Sequence, residues 1–149
     1  VVKSLIKLAQ KHHNPFNYLG AMLKNGKILD AFLVLWNIKG IANKIAAFIL
    51  RDIVTILDIE DKIPETDQIL LQPIDRWVNG IATHIWRDLG DRPPDWIVAL
   101  KIVEKCKQYG YSPIRFNQGA WKYGSSQIKK TKNISKKLKE LINSSANKQ

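Results

Sequence analysis

The stretch Leu35-Trp36-Asn37-Ile38-Lys39-Gly40-Ile41-Ala42-Asn43-Lys44-Ile45-Ala46 sets two lysines around a glycine, between two apolar runs. This pattern predicts two helices joined by a tight hairpin centred on Gly40. The first N–H groups of the second helix, with the positive end of its dipole, form an anion site that needs no particular side chain. Lys39 and Lys44 bracket that site, and a DNA phosphate is a natural guest. The alternative is a glycine turn between two core helices. Further on, Asp75 stands between Gln72-Pro73-Ile74 and Arg76-Trp77-Val78, where it is placed to cap another helix.

Composition narrows the partner. The chain has 149 residues and a net charge of +11. Residues 122–149 hold eight Lys against one Glu, a net +7, which leaves +4 for residues 1–121. A basic surplus points to a polyanion, because Lys and Arg that neutralise phosphates release condensed counterions. A solvated, lysine-rich surface is the alternative. With 45% hydrophobic and 25% charged residues the chain can bury a core, so disorder is excluded as its main description. The single Cys106 excludes an internal disulfide framework, a multi-Cys zinc site and an iron–sulfur cluster. No apolar run reaches the ~18 residues of a membrane-spanning helix. Charges and histidines interrupt the first 15 residues, so no secretory signal is read there.

The elements that must position these residues are helical. Residues 1–12 place Leu5, Ile6, Leu8 and Ala9 on one side, and Asn14-Pro15 breaks the run. Asn17 is read as the cap of a short helix to about Lys24, ended by Asn25-Gly26. The hairpin then occupies residues 28–58. Its first helix runs from about Lys27 to Trp36, with Leu29, Phe32, Leu33 and Trp36 at core spacing. Its second runs from Asn43 to about Asp58, with Ile45, Ala46, Ile49 and Ile53 inward. Residues 58–73 read as acidic and irregular, with one helical turn near Ile69–Leu71.

A helix capped by Asp75 should reach about Leu89, burying Val78, Ile81, Ala82 and Ile85. Another should end at Tyr109-Gly110, and Ser112-Pro113 should open one that reaches Trp121. Ile134, Leu138, Leu141 and Ile142 give a basic amphipathic tail helix, and residues 143–149 read as frayed. No strand alternation and no internal repeat stand out. The expected fold is all-α: a helical domain over residues 1–126 and a tail over 127–149. Trp77, Trp86 and Trp96 are read as core, His84 as a structural histidine and Cys106 as a small buried apolar group.

Taken together, the hairpin and the Asp75 segment resemble the helix-hairpin-helix DNA glycosylase superfamily over roughly residues 28–90. In that family the hairpin usually reads Gly-apolar-Gly before a Lys-rich helix start. Gly40 and Ile41 match, and Ala42 stands where the second Gly would be. Gln72-Pro73-Ile74-Asp75 resembles the segment that carries the family's catalytic Asp. Lys44 stands where bifunctional members carry the lysine that adds abasic-site lyase activity.

The resemblance implies a glycosylase and lyase acting on double-stranded DNA with a damaged base. It implies no cofactor and no metal, a monomer, and an intracellular place, cytoplasmic or nucleoid-associated. Lys44 and Asp75 would be catalytic. Lys39, Gly40, Ile41, Ala42, Asn43 and Arg76 would contact DNA, while Phe116, Asn117, Gln118 and Trp121 would line a base pocket. The other roles open to Lys44 and Asp75 are a phosphate contact and a plain helix cap. The chemistry suits these residue types. Cleaving an N-glycosidic bond builds positive charge on the sugar, which a carboxylate stabilises. A lyase needs a neutral amine, which the first turn of a helix favours and partial burial would favour further.

Three departures refine the expectation. Lys44 and Asp75 are 31 residues apart, longer than in many members but similar to the archaeal 8-oxoguanine glycosylases, so 8-oxoguanine is the first expected lesion. The four-Cys cluster of endonuclease-III-like members is missing. Little chain precedes the hairpin and the sequence opens Val1-Val2, so either a truncated version or a reduced second lobe is expected.

Overall fold

The computed structural model describes residues 2–128 and 130–146, and among these it contains helices and turns but no strand. The all-α class expected from the periodicity is what the chain adopts. Two compact units divide it, Val1–Pro73 and Ile74–Gln149. The basic tail, which the sequence reading set apart from residue 127 onward, falls within the second unit.

The first unit opens with α1 (Val2–His12), α2 (Pro15–Lys24), α3 (Ile28–Trp36) and α4 (Asn43–Leu57). Its closing segment holds a 3₁₀ turn (Glu60–Lys62), α5 (Glu65–Gln68) and a second 3₁₀ turn (Ile69–Leu71). Asn14, rather than Asn17, caps α2: its side chain accepts from the Asn17 N–H at 3.1 Å. Pro15 at the first helical position fixes that start, since it has no N–H to leave unpaired. Gly26, at φ 71°, turns the chain after α2.

Helices α2, α3 and α4 pack on one another. The core stripe of α3 is Ile28, Ala31 and Leu35, whereas Leu29 (54% exposed) and Trp36 (52%) face outward. This corrects the expected stripe of Leu29, Phe32, Leu33 and Trp36. The helix reads ILDAFLVLW, apolar nearly all round, so two faces satisfy the same spacing and only packing chooses between them. On α4, Ala46 and Ile53 are buried and Ile49 half-buried as expected, but Ile45 is exposed. The side chain of Leu5 lies outside the described residues.

The second unit runs from α6 (Arg76–Ile85) through a 3₁₀ turn (Arg87–Leu89) to α7 (Asp95–Gln108) and α8 (Pro113–Tyr123). A wider π-helical turn (Gly124–Ile128), a 3₁₀ turn (Thr131–Asn133) and α9 (Ile134–Ala146) follow. Helix α6 stops at Ile85, short of the expected Leu89, and Ile85 is exposed. Val78, Ile81 and Ala82 are buried as read. Ser112 caps α8 by accepting from the Arg115 N–H at 3.0 Å.

Trp77 is buried and Trp86 half-buried, but Trp96 is 64% exposed and is not core. Cys106 is buried. Helix α9 lies against α6, with Ile134 and Leu138 buried, whereas Leu141 and Ile142 are exposed. Residues 143–146 are helical rather than frayed, and 147–149 lie outside the described residues.

Two glycines set the close approaches in this unit. A Cβ on Gly80 would collide with the Ile134 side chain. A Cβ on Gly124 would stand 2.6 Å from the Cβ and 2.9 Å from the Cγ of Trp77, a buried ring with little room to move. Gly124→Ala should therefore cost about 1–3 kcal/mol by overpacking. Gly119→Ala is the contrast, because its Cβ would meet nothing within 4 Å. Removing a flexible residue from a helix interior there should stabilise by roughly 0.5–1 kcal/mol. Urea midpoints of the two variants should move in opposite directions.

Candidate functional site

The hairpin is held from beneath. Ile38 and Ile41 are both buried, and the Ile41 N–H donates to the Ile38 carbonyl at 2.9 Å, closing the turn. Gly40 sits at φ 91°, which an L side chain rarely adopts, so glycine is required there. Ala42 is at φ −89° and ψ 170°, ordinary extended backbone. The second glycine of the family pattern is thus not needed for backbone freedom, and its replacement by Ala adds only an exposed methyl.

With the two isoleucines pinned inward, Lys39, Gly40, Ala42, Asn43 and Lys44 form an exposed ridge. No side chain caps α4, because Ala42 has no acceptor to offer. The opening N–H groups of α4 therefore stand beside two cationic side chains, the arrangement that suits an anion. Ile41 belongs to this site through its backbone only. Lys44, in the first turn of α4, is exposed rather than partly buried.

In the second unit Asp75 caps α6. Its Oδ1 accepts from the Trp77 and Val78 N–H groups, each at 2.9 Å. Its Oδ2 has no partner among the described residues. The carboxylate is half-buried and held in one orientation with one oxygen still open. Arg76 is exposed and rests its guanidinium 4.7 Å above the Trp77 ring. That contact fixes the arginine near the helix start, where it adds a positive charge.

The residues read as a base pocket share α8 but not an environment. Phe116 is half-buried against Trp86, with ring centroids 5.3 Å apart. Gln118 is half-buried, and Trp121 is 48% exposed. Asn117 is 0% exposed, so its amide is not presented to a base edge from solvent. Among the described residues no group of three His, Cys, Asp or Glu side chains comes together, and no helix is long and apolar enough to cross a membrane.

No match is found for the chain among models of protein families, curated proteins or solved structures.

Some polar residues escaped the sequence reading. Arg51 is buried, pairs with Asp52 at 2.8 Å and lies 4.5 Å from the Phe48 ring centre. A charged residue inside FILRDIVTIL was the available signal. Gln68 and Gln72 are buried one helical turn apart. Their amide nitrogens donate to backbone carbonyls of the same segment, at 3.0 Å to Ile63 and 3.2 Å to Gln68. They tie down the chain just before Pro73.

His84 is half-buried on α6. Burial first, then the charges of Arg87 and Lys139, hold its imidazole below the ordinary 6.5. The unfolded chain therefore takes up this proton first as pH falls. The stability that neutral His84 contributes is complete above pH 6.5 and is lost as pH drops through the lowered folded value. Urea midpoints measured on either side of pH 6.5 should show this slope, and His84→Gln should flatten it.

Proposed function

We propose that this protein is a base-excision-repair DNA glycosylase with abasic-site lyase activity, with 8-oxoguanine as its first expected substrate. One observation carries the reading. The amine and the carboxylate that this chemistry needs each stand at the N-terminal end of a helix, with the reactive atom open. Lys44 is exposed at the start of α4, which no side chain caps, and among the described residues Asp75 keeps Oδ2 free while Oδ1 is fixed. The sequence around each resembles the family segment that supplies the same group.

The reaction follows from these groups. The damaged nucleotide leaves the stack. The Lys44 amine attacks C1′, and the glycosidic bond breaks with its electron pair going to the departing base, which takes up a proton. Asp75 stabilises the positive charge on the sugar as that bond lengthens. Opening of the sugar ring leaves a Schiff base between Lys44 and C1′. Loss of a C2′ proton then expels the 3′ phosphate and cuts the strand. The hairpin N–H groups, Lys39 and the basic tail supply affinity for the backbone that does not depend on sequence.

A second reading is a non-catalytic module that binds duplex DNA through the hairpin. The cap bonds of Asp75 and the solvent exposure of Lys44 favour it, since a structural Asp and a phosphate-contacting Lys would look the same.

Incubation with an 8-oxoguanine duplex and borohydride separates the two. The enzyme gives a covalent protein–DNA band on a denaturing gel, and without borohydride it gives a cut strand. Salt-sensitive binding with neither product on any damaged duplex would assign the module instead. Absence of binding at low salt would remove both readings.

A further inference from the structure

The second unit carries a hollow that the proposed chemistry does not use. It lies between the C-terminal half of α6 with the turn that follows and the segment opening α9, and its volume is about 780 Å³. Thr83, His84 and Arg87 line one side, and Thr131, Lys132 and Ser135 the other. Arg87 and Lys132 are exposed, and neither has an ion pair among the described residues. No nearby acid pairs with them among the described residues. Asp88 is taken by Lys101 at 2.6 Å, and Asp91, which also lines the hollow, forms no ion pair with either cation among the described residues.

The donors in this hollow match one kind of ligand. The Thr83 hydroxyl is spent on the Asn79 and Gly80 carbonyls, at 2.9 and 3.2 Å. The guanidinium of Arg87, the ammonium of Lys132, the hydroxyls of Thr131 and Ser135 and the imidazole of His84 are left. These exceed what the two oxygens of a carboxylate can accept, and they suit the several oxygens of a phosphate, which Arg grips in pairs and Lys as a point charge. The volume falls within the range of about 300–1,000 Å³ usual for ligand sites, so a sugar attached to the phosphate also fits. His84 feels the same surroundings: burial first, then the charges of Arg87 and Lys139, oppose its protonation.

We propose that the hollow between α6 and the start of α9 binds a phosphate group, either one in a nucleic-acid backbone or one free in solution. The site involves neither Lys44 nor Asp75, so it stands or falls independently of the glycosylase chemistry.

The test is an NMR titration of the full chain, following the His84 ring and Arg87 Nε signals at fixed ionic strength. One arm uses inorganic phosphate, a second a short undamaged duplex, and a third sodium chloride as control. Saturable shifts with phosphate or duplex are expected, and Arg87→Gln and Lys132→Gln should each weaken binding about tenfold, the loss of one charged contact. Both side chains are exposed, so the fold should be unaffected, which circular dichroism verifies.

A response to phosphate with none to the duplex assigns free phosphate or a small phosphorylated ligand. A response to the duplex, alone or with phosphate, assigns the backbone. No shift at His84 in either arm would overturn the proposal. Equal shifts with chloride, or equal affinity in the double variant, would overturn it too.

Discussion

Lys44→Ala should lose the borohydride-trapped product by at least about a thousandfold, the scale on which removing a covalent nucleophile acts. The folded protein should hardly notice. Lys44 is exposed and sits above the buried stripe of α4, so stability should change by no more than about 0.5 kcal/mol. Duplex affinity should fall modestly, with the salt slope reduced by about one phosphate contact. Lys44→Arg sharpens the result. It keeps the positive charge at the hairpin but replaces the amine with a guanidinium that does not deprotonate. Binding should therefore persist while trapping disappears. Lys39→Ala is the control on the same ridge and should retain the covalent product. Trapping by Lys44→Ala at the parent level would remove the residue from the mechanism and leave it a phosphate contact.

The second large effect is at Asp75, where two roles overlap and two substitutions separate them. Asp75→Asn keeps a carbonyl oxygen for the Trp77 and Val78 N–H groups, and Asn caps helices about as well as Asp. Only the charge at the helix start is lost, worth about 0.3–1 kcal/mol. Base release should nevertheless fall roughly 10²- to 10³-fold, the cost of removing one preorganised group that stabilises transition-state charge. Asp75→Ala removes the cap as well and should lower stability by about 1 kcal/mol. Its loss of base release should match that of Asp75→Asn. If the Asn variant releases base at the parent rate while the Ala variant is merely less stable, Asp75 is a cap and nothing more.

Much of the fold was legible because its breaks are chemical. Asn14-Pro15, Asn25-Gly26, Asp75 and Ser112-Pro113 each mark a helix end for a physical reason, Gly40 marks the turn between two helices, and the structure has those ends and that turn. What was not legible is which face turns inward when a helix is apolar all round. Helix α3 shows this, since Leu29 and Trp36 are exposed and Ile28 and Leu35 buried, although both pairs fit the spacing.

The candidate residues divide the same way. The place of Lys39 and Lys44 at the hairpin and the capping role of Asp75 followed from position relative to a turn, which sequence displays, whereas the full exposure of Lys44 did not. The burial of Asn117 and the hollow around His84 did not, because they depend on segments distant in sequence. Arg87 and Lys132 line one hollow across an interval that holds two further helices. No spacing rule joins them.

The central claim is that the Lys44 amine forms a Schiff base with the sugar of a damaged nucleotide. Its most direct test is to trap the full chain on an 8-oxoguanine duplex with borohydride, digest the product and locate the modified lysine by mass spectrometry. The account predicts that the sugar remnant is attached to Nζ of Lys44. Attachment to Lys39, to a lysine of the basic tail or to several lysines at comparable yield would contradict it.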